Sequence, residues 1–394
     1  MILPIPNKTT LNNLKLHIYS SFQEVNAEHW DLIIQNKNIY STIPYLSAIE
    51  KSLVDQIQFR YFIYYNSKLY PVAVGVVQFL NFIDKGFDDK EEVCRIRNSI
   101  KKKLLTEKGI QMMSCGTPFA SGETGFFYSD TLTHKEAYKH LSHALLQIQK
   151  KEKSTPVILI KELFPESIEK RNILVQHKFN EFEIDVNMIL KISPKWKNLN
   201  DYMDAMVTKF RTKARTAIRK SEELTIRNLT LSEIDSLKNK IESLYLQVQE
   251  KSSFWFGALN ANSFLYLKQN LGEDFILKGY FLGNELIGFS SSFLFDSILD
   301  ANYVGINYEL NRDFAIYQRM LYDYIDLAIE RGCKELRFGR TAEEIKSSVG
   351  AVPVPMKLFI RHKNPIANRI LKAIVATIHP SSYELRKPFK QTDK

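Results

Sequence analysis

Lys278–Ala351 reads KGYFLGNELIGFSSSFLFDSILDANYVGINYELNRDFAIYQRMLYDYIDLAIERGCKELRFGRTAEEIKSSVGA and carries a run of distinct element signals. Two apolar runs, Tyr280–Leu282 and Leu286–Phe295, flank Gly283-Asn284, the composition of a hairpin turn. A further short run follows at Asp300–Ile306. Tyr317–Glu330 then places Met320, Leu321, Tyr324, Ile325, Leu327 and Ala328 at helical spacing, which predicts an amphipathic helix. Gly332 stands where a C′ glycine ends a helix. Lys334–Phe338 returns to a strand pattern, and Gly339-Arg340-Thr341 leaves it. The expected order is strand, strand, strand, helix, strand, then a charged loop.

The hairpin signal also occurs upstream. Phe59–Phe79 is rich in Tyr, Phe and Val around Asn66-Ser67-Lys68, and residues 64–79 align to 281–295, with Leu69 opposite Leu286. This predicts an internal duplication of one α/β unit. Between the copies, Asp88–Lys108 suggests a surface helix with Val93, Ile96, Ile100 and Leu104 on one face. Gly116–Gly125, the densest Gly/Ser/Thr stretch, reads either as a plain turn or as a loop offering N–H groups to an anion. His134–Lys150 is expected to be a helix; His140 and His143 share a face, but no third ligand stands at metal spacing. Pro156–Ile160, Glu169–His177 and Glu181–Lys191 read as strand, helix and strand. Residues 1–192 thus form an expected first domain, 193–200 a linker, 201–363 a second domain and 364–394 a basic amphipathic tail.

The second domain opens on a basic helix. Lys209, Arg211, Lys213, Arg215, Arg219 and Lys220 alternate with an apolar side of Tyr202, Met206, Phe210, Ala214, Ala217 and Ile218. Arg211, Arg215 and Arg219 lie four apart and form one stripe. Like charges repel along such a stripe, an arrangement suited to an anionic ligand; a solvated face pairing with Glu222 and Glu223 is the alternative. Leu231–Lys251 and Ser263–Gln269 read as helices around an aromatic loop, Ser253–Gly257, fit for an acyl channel or for core packing. Met356–Arg361 reads as a strand, and Asn364–Ile378 sets Arg369 and Lys372 against Ile370, Leu371, Ile374 and Val375, a pattern for an anionic membrane face or for packing on the protein body.

The formal net charge of +10 suits phosphates, nucleic acid or an anionic membrane, or serves solubility alone. The three cysteines, Cys94, Cys115 and Cys333, have no paired spacing, which excludes a zinc or dithiol motif and favours a reducing cytoplasm. The first residues lack the pattern of a signal peptide, and no apolar run approaches the roughly 20 residues that span a bilayer. No Ser/His/Asp or Cys/His nucleophile pattern is present.

With Tyr303-Val304-Gly305, the Asn311-Arg312 turn, and Phe338-Gly339-Arg340-Thr341 followed by Glu344, Lys346 and Gly350-Ala351, the central stretch resembles the GNAT acyltransferase superfamily. It is most similar to the branch holding the FemABX peptidoglycan aminoacyltransferases and the BioF2-like acyltransferase domains. The resemblance implies an α/β protein of two tandem GNAT-like domains, each a mixed twisted sheet flanked by helices. It implies direct attack of an amine on an acyl carbonyl, with no metal and no permanently bound cofactor. A splayed central strand would present N–H groups to the acyl donor, and the next helix N-terminus would hold a pyrophosphate. The donor would be acyl-CoA, acyl-ACP or aminoacyl-tRNA.

For site residues the resemblance points to Tyr303 for proton handling, with Asp300 and Glu309 as carboxylate candidates and Tyr317 as acid to a leaving thiol. Arg312, Ala315 and Ile316 fall at the donor loop, where Ala315 replaces the first glycine of the acetyl-CoA pattern, as it does across the FemABX-like branch. Lys209, Arg211, Arg215, Arg340 and Lys346 are anion or acceptor contacts, ion pairs to Glu343 or Glu344 being the alternative for the last two. The expected function is N-acylation of a cell-envelope amino lipid or related amine. A tRNA-dependent peptidoglycan aminoacyltransferase and a degenerate pair that only binds its ligand remain open. The expected place is the cytoplasm, or the inner face of the membrane as a peripheral protein, with no specific DNA binding.

Overall fold

The computed structural model describes residues 14–35, 38–84, 110–152, 154–164, 172–183, 186–251, 254–255, 258–376 and 383–390. The Asp88–Lys108 helix, Cys94 and the side chains of the Ser253–Gly257 loop lie outside this description.

The first half of the chain runs β1 (Lys15–Tyr19), α1 (Ala27–Ile34), α2 (Ile43–Leu53), β2 (Gln58–Tyr65), β3 (Pro71–Asp84) and β4 (Ile110–Cys115). It continues with β5 (Phe126–Tyr128), α3 (His134–Lys151), β6 (Val157–Leu163), α4 (Asn172–Gln176), β7 (Asn180–Phe182) and β8 (Val186–Lys191). Then come α5 (Leu199–Ala205), α6 (Thr208–Lys220), β9 (Leu224–Asn228), α7 (Leu231–Glu250), β10 (Phe254–Trp255) and α8 (Ala261–Leu271). The predicted core stretch supplies β11 (Phe275–Leu282), β12 (Glu285–Phe295), β13 (Ile298–Ile306), α9 (Tyr308–Phe314), α10 (Ile316–Glu330) and β14 (Glu335–Arg337). The chain closes with α11 (Glu343–Ser348), β15 (Val352–Pro355), β16 (Lys357–His362) and α12 (Pro365–Val375).

These elements form two units, each with its own mixed sheet. The first sheet runs β1-β2-β3-β4-β6-β16-β7, with β5 and β10 paired to β3. The second runs β15-β8-β14-β13-β12-β11-β9. In each, an antiparallel meander leads through a helical connection to a parallel strand: β4 to β6 through α3, and β13 to β14 through α9 and α10. The β2–β3 and β11–β12 hairpins therefore hold the same place, and both carry a register shift just before the turn, as a duplicated unit would. Capping boxes from Thr133 with Glu136 and from Thr230 with Glu233 start α3 and α7.

The expected domain limits need correcting strand by strand. Glu181–Lys191 is two strands, not one, and its second part, β8, lies in the second sheet between β14 and β15. In exchange β16, expected in the second domain, sits in the first sheet between β6 and β7. Both are apolar strands paired on both edges; their composition signals burial but not which sheet buries them. The expected tail divides: α12 belongs to the first unit, while the end of the chain joins the second, where Val207 N donates to Pro388 O (2.8 Å). Asn368 of α12 accepts from His362 N (2.8 Å) and donates to Lys178 O (2.9 Å), which ties the helix to β16 and to the turn before β7.

In the first unit α3 and α4 pack on one sheet face through Tyr138, Leu141, Leu145, Ile148 and Leu174 against Phe62, Ile158 and Phe359. Trp30 of α1 meets Tyr61 edge-on across the other face. Burial holds the His140, His177 and His362 imidazoles of this unit below their ordinary range, with His143, Lys139, Arg361 and Lys363 adding positive charge around them. The unfolded chain takes up these protons near pH ~6.5, before the folded one does. Folding stability should therefore hold above about pH 6.5 and fall as the pH drops below it. A lower urea midpoint at pH 5 than at pH 7.5, with the gap narrowed in His140→Gln, is the expected result.

Candidate active site

The parallel ladder between β13 and β14 is short. It joins Ile298 to Glu335, Leu299 to Leu336 and Asp300 to Arg337, and then stops. Phe338 N donates to Met188 O (2.8 Å) and Met188 N to Gly339 O (3.0 Å), so the chain beyond β14 stays on β8 while β13 runs on to Ile306. The two strands part in a fork. Its cause lies on the opposite edge of β13, where the register against β12 shifts between Ser290 and Ser292. There Ser291 Oγ accepts from Tyr303 N (2.9 Å) and donates to Tyr303 O (3.0 Å), filling the bulge, and a bulge adds local twist.

Below the fork, Tyr324 Oη of α10 donates to Ser291 O (2.9 Å). Beside it a buried network fixes α10 to the sheet and to the end of α6. Tyr280 Oη donates to Asp323 Oδ2 (2.8 Å), Arg319 Nε to Asp323 Oδ1 (2.8 Å), and Arg319 Nη1 to Ser221 Oγ (3.0 Å).

The turn into α10 replaces glycine chemistry with alanine. Ala315 takes the left-handed conformation at φ 49° and separates α9 from α10. Asn311 Oδ1 accepts from Tyr317 N (2.9 Å) and so caps the first turn of α10. Ile316 is buried in the core, and Arg312 is exposed, its carbonyl accepting from Lys220 Nζ of α6 (2.9 Å).

The proposed proton carriers separate. Asp300 is buried at the last rung before the fork. Tyr317 is half-buried in the first turn of α10, where burial pushes its phenol upward and Tyr308 and Glu343 add to the shift. The Tyr324 phenol is raised by burial too, with Tyr317 and Asp300 adding to the shift. Tyr303 lies past the bulge, its ring edge-on to Tyr245 of α7, Phe264 of α8 and Phe293; Phe293 is the cross-strand partner of Asp300, so the bulge leaves Asp300 and Tyr303 on one sheet face. Glu309 is exposed on α9.

The cations also divide. Lys209 and Arg215 are exposed on α6, and Arg211 stands 3.8 Å from Asp204. Lys346, in contrast, is buried, with Nζ donating to Arg340 O (2.5 Å) and toward Gly339 O (3.5 Å); it fastens the loop after β14. Arg340 is half-buried in that loop. Sequence reasoning missed a cleft of about 140 Å³ beside α10, lined among others by Lys213 of α6, Gln318 and Tyr322 of α10, Ser348 of α11 and Arg386. Arg386 there pairs with Glu344 and Glu384. These residues come from four separate stretches, and only Lys213 carried a signal, as part of the basic helix.

The Gly116–Gly125 loop keeps its polar groups for itself. Thr117 N donates to Thr124 Oγ1 (3.0 Å), Gly122 N to Glu162 Oε2 (2.7 Å), and Lys161 Nζ to Thr117 O and Ala120 O (2.9 Å each). It is the turn of the two readings. Among the described residues no cluster of His, Cys, Asp or Glu could hold a metal ion, and His143 Nδ1 instead lies 2.8 Å from the Tyr64 hydroxyl.

No protein-family model and no curated protein matches the sequence. Solved structures do. FemX superposes with a TM-score of 0.53 at 12% identity, over 89% of this chain and 99% of that one. L-PGS from Bacillus licheniformis gives 0.48 at 9% identity, over 85% and 97% of the two chains. A GCN5-related N-acetyltransferase from Sphaerobacter thermophilus gives 0.41 at 12%, over 77% and 81%. The first of these shows the fold: the chain shares the fold of FemX over most of both chains.

Proposed function

We propose, from the fold shared with FemX, that this chain is an acyltransferase that passes an acyl or aminoacyl group from an activated carrier to an amine. The observation that carries the reading is the parting of β13 from β14 beside the first turn of α10. A fork of this kind admits an acyl chain between two strands and turns main-chain N–H groups toward its carbonyl, where they stabilise the oxyanion. The helix start offers partial positive charge to the donor's phosphates, and the exposed cations of α6 extend it.

The amine nitrogen attacks the carbonyl carbon and the carbon–sulfur bond of a thioester breaks. The proton lost by the nitrogen passes to the Asp300 carboxylate; the departing thiolate takes one from Tyr317. Holding both reactants in the fork supplies most of the rate. The donor we favour is acyl-CoA or acyl-ACP, and the acceptor a cell-envelope amino lipid. The exposed face of α12, with Ile366 at 74% exposure beside Arg369 and Lys372, supports work at the inner face of an anionic membrane. No helix among the described residues is long and apolar enough to cross one. The six cations between Lys209 and Lys220 favour a second reading, an aminoacyl-tRNA donor and a peptidoglycan acceptor.

Mass spectrometry of lipid extracts and digested cell wall from a deletion strain and its parent tests both. Loss of an N-acylated amino lipid, with its free amine accumulating, supports the lipid acceptor. Loss of a cross-bridge residue supports the tRNA-dependent one. No change in either overturns the envelope assignment, and absence of turnover with every donor leaves a binding protein.

A further inference from the structure

The first unit carries a groove of about 380 Å³ between α3 and the end of β16, lined by Leu146, Gln149, Lys150, Arg361 and Lys363. Among the described residues no acidic side chain lines it. Arg361 pairs in register with Ile158, two residues from Phe359, whose ring packs in the α3-side core, so its side chain rises on the α3 face of the sheet.

Arg361 is held but not satisfied. Gln149 donates its Nε2 to Pro156 O (3.1 Å) and Thr155 O (3.4 Å), which turns Oε1 toward Arg361 Nη1 at 3.4 Å. Arg361 Nε is buried without a hydrogen-bond partner. A buried donor left in this state loses its water and gains nothing in return. The nearby carboxylates are committed elsewhere: Glu152 to Arg60 at 2.5 Å, and Glu181 to Lys357 at 3.2 Å. Burial without a carboxylate pushes the Arg361 guanidinium below its usual range, and its charge helps hold the His177 and His362 imidazoles down. Lys150 adds an exposed ammonium on the opposite wall.

We infer that this groove is a phosphate-binding site, with Arg361 as the planar fork and Lys150 as the second cation. A guanidinium whose Nη1 is steadied by Gln149 presents the N–H groups of its outer edge to one phosphate, and no acid among the described lining residues neutralises its charge first. The site lies in the unit that does not hold the β13–β14 fork and is independent of acyl transfer. Its phosphate belongs either to a soluble diphosphate or to a lipid headgroup.

The test uses the full chain with ¹⁵N-labelled arginine, its Arg361 Nε–H resonance identified by its loss in Arg361→Gln. Inorganic pyrophosphate should shift that resonance, and calorimetry should show binding weakened at least tenfold in Arg361→Gln and several-fold in Lys150→Gln, an exposed change that leaves the fold intact. Sedimentation with phosphatidylglycerol vesicles, against phosphatidylcholine alone, separates the sources. Vesicle binding lost in both variants assigns a lipid phosphate. Vesicle binding unaffected by either, with pyrophosphate binding lost, assigns a soluble one. A resonance that neither pyrophosphate nor vesicles move, or affinity unchanged in Lys150→Gln and Arg361→Gln, overturns the inference.

Discussion

Lys161→Met is expected to destabilise the first unit by roughly 3–5 kcal/mol, the cost of breaking a buried ion pair from one side. Lys161 is 5% exposed and Glu162 1%, adjacent on β6 with Nζ and Oε1 3.2 Å apart. The ammonium also closes the Gly116–Gly125 loop by binding Thr117 O and Ala120 O, while Glu162 Oε2 accepts from Gly122 N. Methionine fills the stem's volume but leaves the two carbonyls and a carboxylate stranded away from water. Glu162 meanwhile keeps its strained φ of 52° with less to hold it there. Urea unfolding of the wild type, Lys161→Met and Lys161→Met with Glu162→Gln measures this. The double variant should recover part of the loss, because the orphaned charge is gone. A loss under ~1 kcal/mol in the single variant, the scale of an exposed pair, would mean that the pair does not close the loop.

That cluster also marks where sequence reading stops. The Gly/Ser/Thr density of 116–125 was legible, but not the fact that its partners stand some forty residues on, at Lys161 and Glu162. Local periodicity did give the β11–β12 hairpin, the α10 helix and the Gly332 stop at φ 64°, because each is written within one or two turns of chain. The exchange of β8 and β16 between sheets was not legible, since an apolar strand says that it is buried and not by what. Tyr303 shows a subtler limit. Counting alternate residues along β13 from Asp300 puts Asp300 and Tyr303 on opposite faces, but the Ser290–Ser292 bulge adds a step and brings both to the face of Phe293. The Ser290-Ser291-Ser292 run was the available signal, three small hydroxyls inside an apolar strand. Lys346 looked like a ligand contact by position, and only burial reveals that its ammonium is spent on main-chain carbonyls.

Asp300→Asn should slow acyl transfer by roughly 10²–10⁴-fold, the range for a lost general base, while Tyr303→Phe should stay near wild type. The contrast follows from where along β13 each side chain stands and what it meets. Asp300 is 3% exposed at the last rung joining β13 to β14, the mouth of the fork where an attacking amine must shed its proton. Tyr303 faces the aromatic cluster of Tyr245, Phe264 and Phe293, and phenylalanine preserves those ring contacts. Tyr317→Phe separates the two proton transfers. A thiolate leaves readily without protonation, so its loss should be modest with a thioester donor and much larger with an oxygen ester, whose alkoxide needs the acid. Rates of all three variants with both donors across pH 5–9, alongside their urea midpoints, decide the matter. Asp300→Asn should lose kcat/KM while its urea midpoint shows that the fold persists. Should Asp300→Asn remain within about threefold of wild type and Tyr303→Phe lose the activity instead, the base is Tyr303. The amine would then have to be held past the bulge, not at the last rung of the fork.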